Sequence, residues 1–463
     1  MPLPSLPSIE YMTAPATHAG LRQEIRRTLL LAGPLIIGQV TNFGMNFVDT
    51  VMAGRLGQVD LGAVAVGSSI WAAGFLFVLG LLMAVSAAVA HLDGAGRPRQ
   101  VGELIRQSLW IAAVMAVVLW WVMRNADSLM AVLGTDEAVA ALSDGYLQAI
   151  SWGAPAMTGL LVLRFFSEGV GYTRPTMYVG LLGIAFNVPL NYVLMFGKLG
   201  LPQLGAVGCG WATAIVLWLQ FLGLLAWVLW RPRYRPYGVF ARFSWPSRRE
   251  ISALVKLGLP IGVMVFMEGG MFVMSALLVG TLGALQVAAH QVALNYTGLM
   301  FMVPLGIAGA ITVRVGNAMG RGDPVGARRA GLVGTGLATG FGMISALVMV
   351  VIPEQIVRLY TADREVIELA ASLLLFAAIF QVADCVQGSV AGALRGLKDT
   401  RVPMLYSVVA YWLIGLGTGW YLTFPKEWGP AGMWVGILTG LSVAAVLLGA
   451  RFLRIAGKPR PGF

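Results

Sequence analysis

Charge is what this chain has least of. Only 11% of its 463 residues are charged, against roughly 25% in soluble domains, and 58% are hydrophobic, so a soluble globular protein is excluded. Cysteine is nearly absent. Cys209 and Cys385 both sit inside apolar runs, which leaves neither a disulfide framework nor a metal-ligand spacing to read. No HExxH or GxSxG stretch occurs, and the one GxGD match, Gly320-Arg321-Gly322-Asp323, lies in a basic connection between apolar runs. The chain is therefore expected not to be an enzyme and to need no cofactor. His91 and His290 read as packed side chains. The first twenty residues contain no apolar core long enough for a cleaved signal peptide, so the first spanning helix is expected to act as the targeting signal.

What is present is apolar sequence in long blocks. A membrane span needs about 20 mainly apolar residues. Charge-free runs of that order cover 61–90, 175–197, 199–230, 330–353, 402–425 and 428–450. The run 269–313 is too long for one span and breaks at Gly280-Thr281-Leu282-Gly283. Shorter or interrupted runs at 25–53, 106–123, 145–170, 252–279 and 368–394 bring the expected count to twelve. Abundant glycine (59 residues) suits close helix packing in a bilayer.

The net charge of +11 is dispersed through short connections and does not point to nucleic acid. With the N-terminus placed in the cytoplasm, 25 Lys and Arg fall on that side and six on the other, with Arg164 inside a helix. That bias puts both termini in the cytoplasm.

The sequence also repeats. Pro34, Gly54 and Gly57 match Pro260, Gly280 and Gly283 at an offset of 226. After a two-residue slip, Leu81, Gly96 and Arg97 match Leu305, Gly320 and Arg321. Asp136, Gly169, Thr173 and Arg174 then fall on Asp363, Gly396, Thr400 and Arg401. Six spans per copy is an even number, so the repeat is parallel, about an axis along the membrane normal. The expected fold is an all-α membrane protein of twelve helices in two six-helix lobes. The expected divisions are a disordered cytoplasmic N-terminus over 1–24, an N-lobe over 25–230, a basic linker over 231–250, a C-lobe over 251–454 and a cytoplasmic tail over 455–463. Such lobes enclose a central cleft that can open to either side, and the function expected is transport.

Ionisable groups inside spans are costly, by roughly 2.5–3.5 kcal/mol on insertion scales, and mark functional sites. Among the groups so placed, Asp49 in NFGMNFVDTVMAG, Glu268 in VMVFMEGGMFVM and Asp384 in FQVADCVQG stand out. A carboxylate can trade a proton for a cation, which an amide cannot. Glu268 and Asp384 share one lobe and could hold Na⁺, share protons or face a cationic substrate. Asp49 belongs to the other lobe. Asn187 and Asn191 lie at i and i+4 across Pro189, on one helix face, where they can serve a buried carboxyl. Arg164 and Glu168, four apart, can pair with each other.

The stretches FVDTVMAG, GAGR, NVPLNYVLMFGKLGLPQLGAVGCGWATAIV, VAAHQVALN, RVGNAMG, LLLFAAIFQVADCVQ and ALRGLKDT occur in that order. Together they resemble the NorM-type branch of the multidrug and toxic compound extrusion (MATE) family, over about residues 22–454. The resemblance implies a V-shaped pair of lobes in the bacterial inner membrane. It also implies export of small organic cations (dyes, fluoroquinolones, quaternary ammonium compounds) in antiport with Na⁺ or H⁺. By motif, Asp49 matches the N-lobe carboxylate, with Asn187, Asn191 and Thr213 around it, and Glu268 and Asp384 match the C-lobe cation-site acids, where Na⁺ would bind. Ser69, Gln291 and Asp363 match drug-contact positions.

Two departures stand out. Phe380 replaces a Tyr found in some Na⁺-coupled members, and Ala362 stands where some relatives have a second acid. The coupling ion stays open between Na⁺ and H⁺. The protein is expected to be a monomer in contact with membrane lipid. The competing reading is a flippase for lipid-linked saccharides on a related fold, which would line its cavity with Arg and Lys.

Overall fold

The computed structural model describes residues 20–132 and 136–458. Residues 1–19 and 459–463, most of the expected tails, lie outside the described residues. Among the described residues eleven helices are long and apolar enough to cross a bilayer, and a bent pair makes the twelfth span. The N-lobe helices are α1 (Leu21–Gly54), α2 (Gln58–Gly94), α3 (Pro98–Arg124), the pair α4 (Glu137–Ser151) and α5 (Ala154–Gly169), α6 (Arg174–Phe196) and α7 (Gly205–Trp230). The C-lobe helices are α8 (Arg248–Gly280), α9 (Ala284–Gly320), α10 (Pro324–Val351), α11 (Arg364–Gly396), α12 (Arg401–Thr423) and α13 (Pro430–Ile455). A short 3-10 helix, Pro232–Tyr237, begins the connection between lobes.

The fourth span differs from expectation. It begins at Glu137, eight residues early, and bends by 50° between α4 and α5. Pro155 stands at the first turn of α5; its ring would collide with the carbonyl of Ser151 in a continuous helix, which ends α4 there. The corresponding span of the C-lobe, α11, has no proline and runs unbroken for 33 residues.

The repeat is tighter than the sequence match suggested. Helices α2 and α9 each hold 37 residues, beginning after Gly57 and Gly283, so the offset stays at 226 with no slip. Gly94 pairs with Gly320, and Gly96 (φ 67°) with Gly322 (φ 73°), both in the left-handed region that glycine tolerates. Arg97 then corresponds to Asp323, each standing just before the proline that opens the next helix. The glycine turn, rather than the adjacent arginines, holds the register.

One apolar core is drawn from residues 53–239 of the N-lobe and linker, with Leu254 of α8 packed into it, and a second from residues 271–444 of the C-lobe. A third cluster joins them, packing Leu31, Ala32 and Leu35 of α1 against Met264, Ile307 and Ile311 of the C-lobe. The lobes meet closely at the face where α1 begins and α13 ends, and they do so reciprocally. A Cβ on Gly94 would lie 2.2 Å from the Asn317 carbonyl oxygen, and one on Gly320 would lie 2.1 Å from the His91 carbonyl oxygen. Because His91 and Asn317 are themselves repeat equivalents, these are one contact seen twice. Only glycine permits it.

Polar groups lock the same end. Glu24 and Arg314 form a two-pronged ion pair at 2.5 and 2.6 Å, with both side chains buried. Asp93 accepts from Tyr237 Oη at 2.6 Å and from Asn317 Nδ2 at 3.3 Å, tying linker, N-lobe and C-lobe together. Two expectations are corrected here. Residues 21–24 are helical, not tail, because Glu24 has a buried partner; and Arg314 belongs to α9, not to a loop.

Removing one partner of a buried pair strands the other charge, at a cost of about 3–5 kcal/mol. Glu24→Ala is expected to lower the thermal unfolding midpoint of the detergent-solubilised protein by several degrees. Glu24→Leu combined with Arg314→Met is expected to recover most of that loss.

Candidate functional site

The N-lobe carboxylate sits five residues before the end of α1. Asp49 is buried and accepts from Asn187 Nδ2 at 3.0 Å and Asn191 Nδ2 at 2.5 Å, both on its Oδ1. Thr213 Oγ1 lies at 3.5 Å from Oδ2. The i, i+4 spacing of the asparagines on α6 aims both amides at one acid, and Asn191 also donates to Asn187 Oδ1 at 3.3 Å. All these donors are neutral, and among the described residues no ion pair involves Asp49. Its charge is solvated by dipoles alone, which is the condition in which a carboxyl can take up either a proton or a cation.

The C-lobe acids face a different environment. Between the lobes lies a cavity of about 380 Å³ whose wall includes Glu268, Asp384, Gln387 and Arg395 from the C-lobe and Arg164 and Glu168 from the N-lobe. Phe165, Phe272, Phe301 and Phe380, with Met83, Met264 and Met302, supply much of the rest. Phe380 is fixed by edge-to-face contacts to Phe272 (6.0 Å) and Trp434 (5.8 Å).

The charges of this cavity are unequally matched. Arg164 Nε donates to Glu168 Oε1 at 2.7 Å, and Thr176 Oγ1 supports the same oxygen at 3.3 Å, so the N-lobe wall is internally neutral. On the C-lobe wall Glu268 repels Asp384, and Arg395 attracts Glu268. Arg395 thus faces one acid, Glu268, and among the described residues no ion pair involves Asp384. Asp384 is 3% exposed, and among the described residues its Oδ1 has no hydrogen-bond partner. The Gln387 Oε1 beside it is likewise unpartnered, since its amide nitrogen goes to Tyr411 Oη at 2.6 Å. A buried acceptor with nothing to accept from costs free energy until a proton or cation arrives.

Arg395 was missed in the sequence because it stands beside the loop Leu397–Thr400 and read as a cytoplasmic loop charge. Helix α11 continues to Gly396, leaving Arg395 5% exposed, with its Nη1 3.1 Å from the Met83 sulfur. The signal was periodic. Asp384, Gly388, Ala391 and Arg395 recur at 3.6-residue spacing along one stripe of the cavity wall.

The wall of this cavity is where relatives can be compared. The MatE family model matches residues 34–193 and 260–421, one segment in each lobe. The chain belongs to the MatE family. Multidrug resistance protein PmpM of Pseudomonas aeruginosa is 44% identical over 94% of this chain and 92% of its own length. Multidrug resistance protein NorM of Aliivibrio fischeri is 41% identical over 95% of this chain and 96% of its own length. In fold the chain is similar to the eukaryotic MATE transporter AtDTX14, with a TM-score of 0.87 and 21% identity over 95% of this chain and 98% of that one. This MatE chain is thus a multi-pass member of a multidrug efflux transporter family, built as two lobes.

The remaining sequence-predicted positions of this MatE chain fall elsewhere. Ser69 and Gln291 are exposed and outside the cavity wall, Ser69 donating to the Ala65 carbonyl at 2.7 Å. Asp363 caps α11, accepting from the backbone of Glu365 at 2.9 Å and Val366 at 3.4 Å. Glu268, Asp384, Arg395 and the Arg164–Glu168 pair are brought together; Asp49 forms its own cluster; Ser69, Gln291 and Asp363 join neither.

Removing the shortest donor to Asp49 is expected to matter most. Asn191→Ala should lower stability by about 1–3 kcal/mol, the cost of an under-solvated buried acid. Thr213→Ala, whose contact is at the geometric limit, should change it far less. Thermal unfolding of both variants in one detergent gives the comparison.

Proposed function

We propose that this protein exports small organic cations from a bacterial cytoplasm across the inner membrane, in antiport with Na⁺ or H⁺. The observation that carries this reading is the central cavity. Its aromatic and methionine walls suit flat apolar cations, and its C-lobe side holds Glu268 and Asp384 against a single Arg395. With every group ionised the wall has one negative charge in excess, which favours a cationic guest.

In the cycle we infer, a drug enters from the cytoplasm and occupies the cavity, attracted by the uncompensated acid. A Na⁺ or proton from outside then takes the carboxylates and weakens the drug's hold. Antiport requires that the two cations compete; a site indifferent to the second gives no coupling. Phe380 supplies no oxygen to such a site, so a Na⁺ would rest on Glu268, Asp384 and the free carbonyl of Gln387. Asp49, in its cage of neutral donors, is a second place where charge can be taken up, in the other lobe. The reciprocal glycine contact and the Glu24–Arg314 pair would form the closed cytoplasmic gate. The bias of Lys and Arg supports cytoplasmic termini, and Ser69 and Gln291 would meet drug only along the approach to the cavity. Each protomer holds a complete cavity, so we propose that it works as a monomer.

The flippase alternative gains one observation, a second arginine in the cavity. It is weakened by how both are used. Arg164 is already paired with Glu168, and Arg395 is drawn to Glu268, so the cavity lacks the cluster of uncommitted guanidinium groups that a pyrophosphate would need.

The test is dye efflux from reconstituted vesicles, with a Na⁺ gradient and a pH gradient imposed separately. One of the two is expected to drive ethidium efflux. Asp384→Asn, which keeps the shape of the side chain, is expected to slow it by roughly tenfold or more, the scale of coupling energies between competing ligands. Efflux by the variant at the wild-type rate, or efflux driven by neither gradient, would contradict the reading.

A further inference from the structure

The connection between the lobes carries a second set of features that transport leaves unused. Residues 238–247 lie against one side of α3 and are held there by their backbone. Arg106 Nη1 donates to the carbonyls of Gly238 and Val239, both at 2.9 Å, and Trp110 Nε1 donates to that of Ser244 at 3.1 Å. Gln107 does so at both ends, donating to the Trp245 carbonyl at 3.0 Å and accepting from Ser247 N at 2.8 Å. Even the approach is built in, since a Cβ on Gly102 would lie 2.0 Å from the Tyr237 carbonyl oxygen.

The anchoring side chains also fix the height of this segment. Arg106 is the last charge on α3 before an uncharged run from Gln107 to Met123, whose 17 residues span about 25 Å of a bilayer core about 30 Å thick. A segment bonded to Arg106, Gln107 and Trp110 therefore lies at the boundary between hydrocarbon and headgroups.

At that height the backbone is held and the side chains are turned outward. Phe243 is 68% exposed and Trp245 78%. The two rings pack edge to face at 5.2 Å, and Phe243 does the same with Trp110 at 6.1 Å. Such aromatic groups at a bilayer boundary are the usual interfacial anchors. Arg242, 70% exposed, stands beside them, and Arg248 and Arg249 are exposed at the start of α8. Two carboxylates are near. Glu103 accepts from Arg106 at 2.6 Å and from Arg242 at 3.0 Å, and Glu250 is exposed at the next position. The arginines outnumber the free acid.

We propose that this segment is an anionic-phospholipid site. Phe243 and Trp245 would insert at the acyl boundary while Arg242, Arg248 and Arg249 receive the phosphate of a negatively charged headgroup. The geometry is fixed before the lipid arrives, so little ordering is lost on binding. The site is on the outer wall of the protein at the linker, away from the cavity that would hold a drug, and its existence does not depend on which ion drives transport.

The experiment offers the full purified chain equal amounts of phosphatidylglycerol and phosphatidylcholine, then counts retained lipid by native mass spectrometry. The wild type is expected to retain phosphatidylglycerol over phosphatidylcholine. Each arginine near an anionic surface contributes a factor of roughly five, so Arg242→Gln/Arg248→Gln/Arg249→Gln should cut that preference by tenfold or more. Phe243→Ser/Trp245→Ser, a second variant independent of charge, should lower retention of phosphatidylglycerol with the thermal midpoint little changed. Equal retention of the two lipids by the wild type overturns the proposal. So does a preference that both variants keep.

Discussion

Two carboxylates, Glu268 and Asp384, line a cavity whose C-lobe side carries one arginine, Arg395, amid phenylalanine, methionine and leucine. The rest of the structure is arranged around that imbalance. In water it would be trivial. In a medium of low dielectric an uncompensated charge is expensive, and in the function we propose a proton, a metal cation or an organic cation would complete the site. A fully paired wall, such as Arg164 with Glu168 on the other side, has no such need. In that proposed function, selectivity for positive guests with no demand for a particular shape would follow from one excess acid in an adaptable apolar room.

The two lobes are copies in backbone but not in chemistry. At the repeat offset Glu268 corresponds to Asn42, Asp384 to Met157, and Asp49 to Ser275. Glu168 corresponds to Arg395, an inversion of charge at matching places on the cavity wall. Duplication therefore supplied the symmetric parts: two bundles, and the Gly94 and Gly320 contact that closes one end. Divergence placed the acids.

Much of this was legible in the sequence because membrane helices announce themselves by length and by where charge is missing. The twelve spans, the two lobes, the face bearing the termini and the three acids could be read directly. The asparagines around Asp49 could be read because i and i+4 share a helix face. What escaped were charges near span ends. Arg395 and Arg314 read as loop residues and Glu24 as part of a tail, since hydropathy sees a helix end where charge begins. The structure carries those helices past the apolar runs, back to Leu21 and on to Gly320 and Gly396, and there a charge can be buried against a partner hundreds of residues away. Such a pair leaves no local signal. The bend at Trp152-Gly153 had its cue in Pro155, but a proline near a span end does not say by itself whether the helix bends or starts.

The account stands on competition between unlike cations for the same carboxylates, and equilibrium binding measures that without any gradient. Ethidium affinity for the purified protein is to be titrated against Na⁺ at fixed pH, and against pH without Na⁺. The prediction is that one of these weakens ethidium binding by roughly fivefold or more. An affinity indifferent to both would contradict the claim that the drug and the coupling ion meet at Glu268 and Asp384.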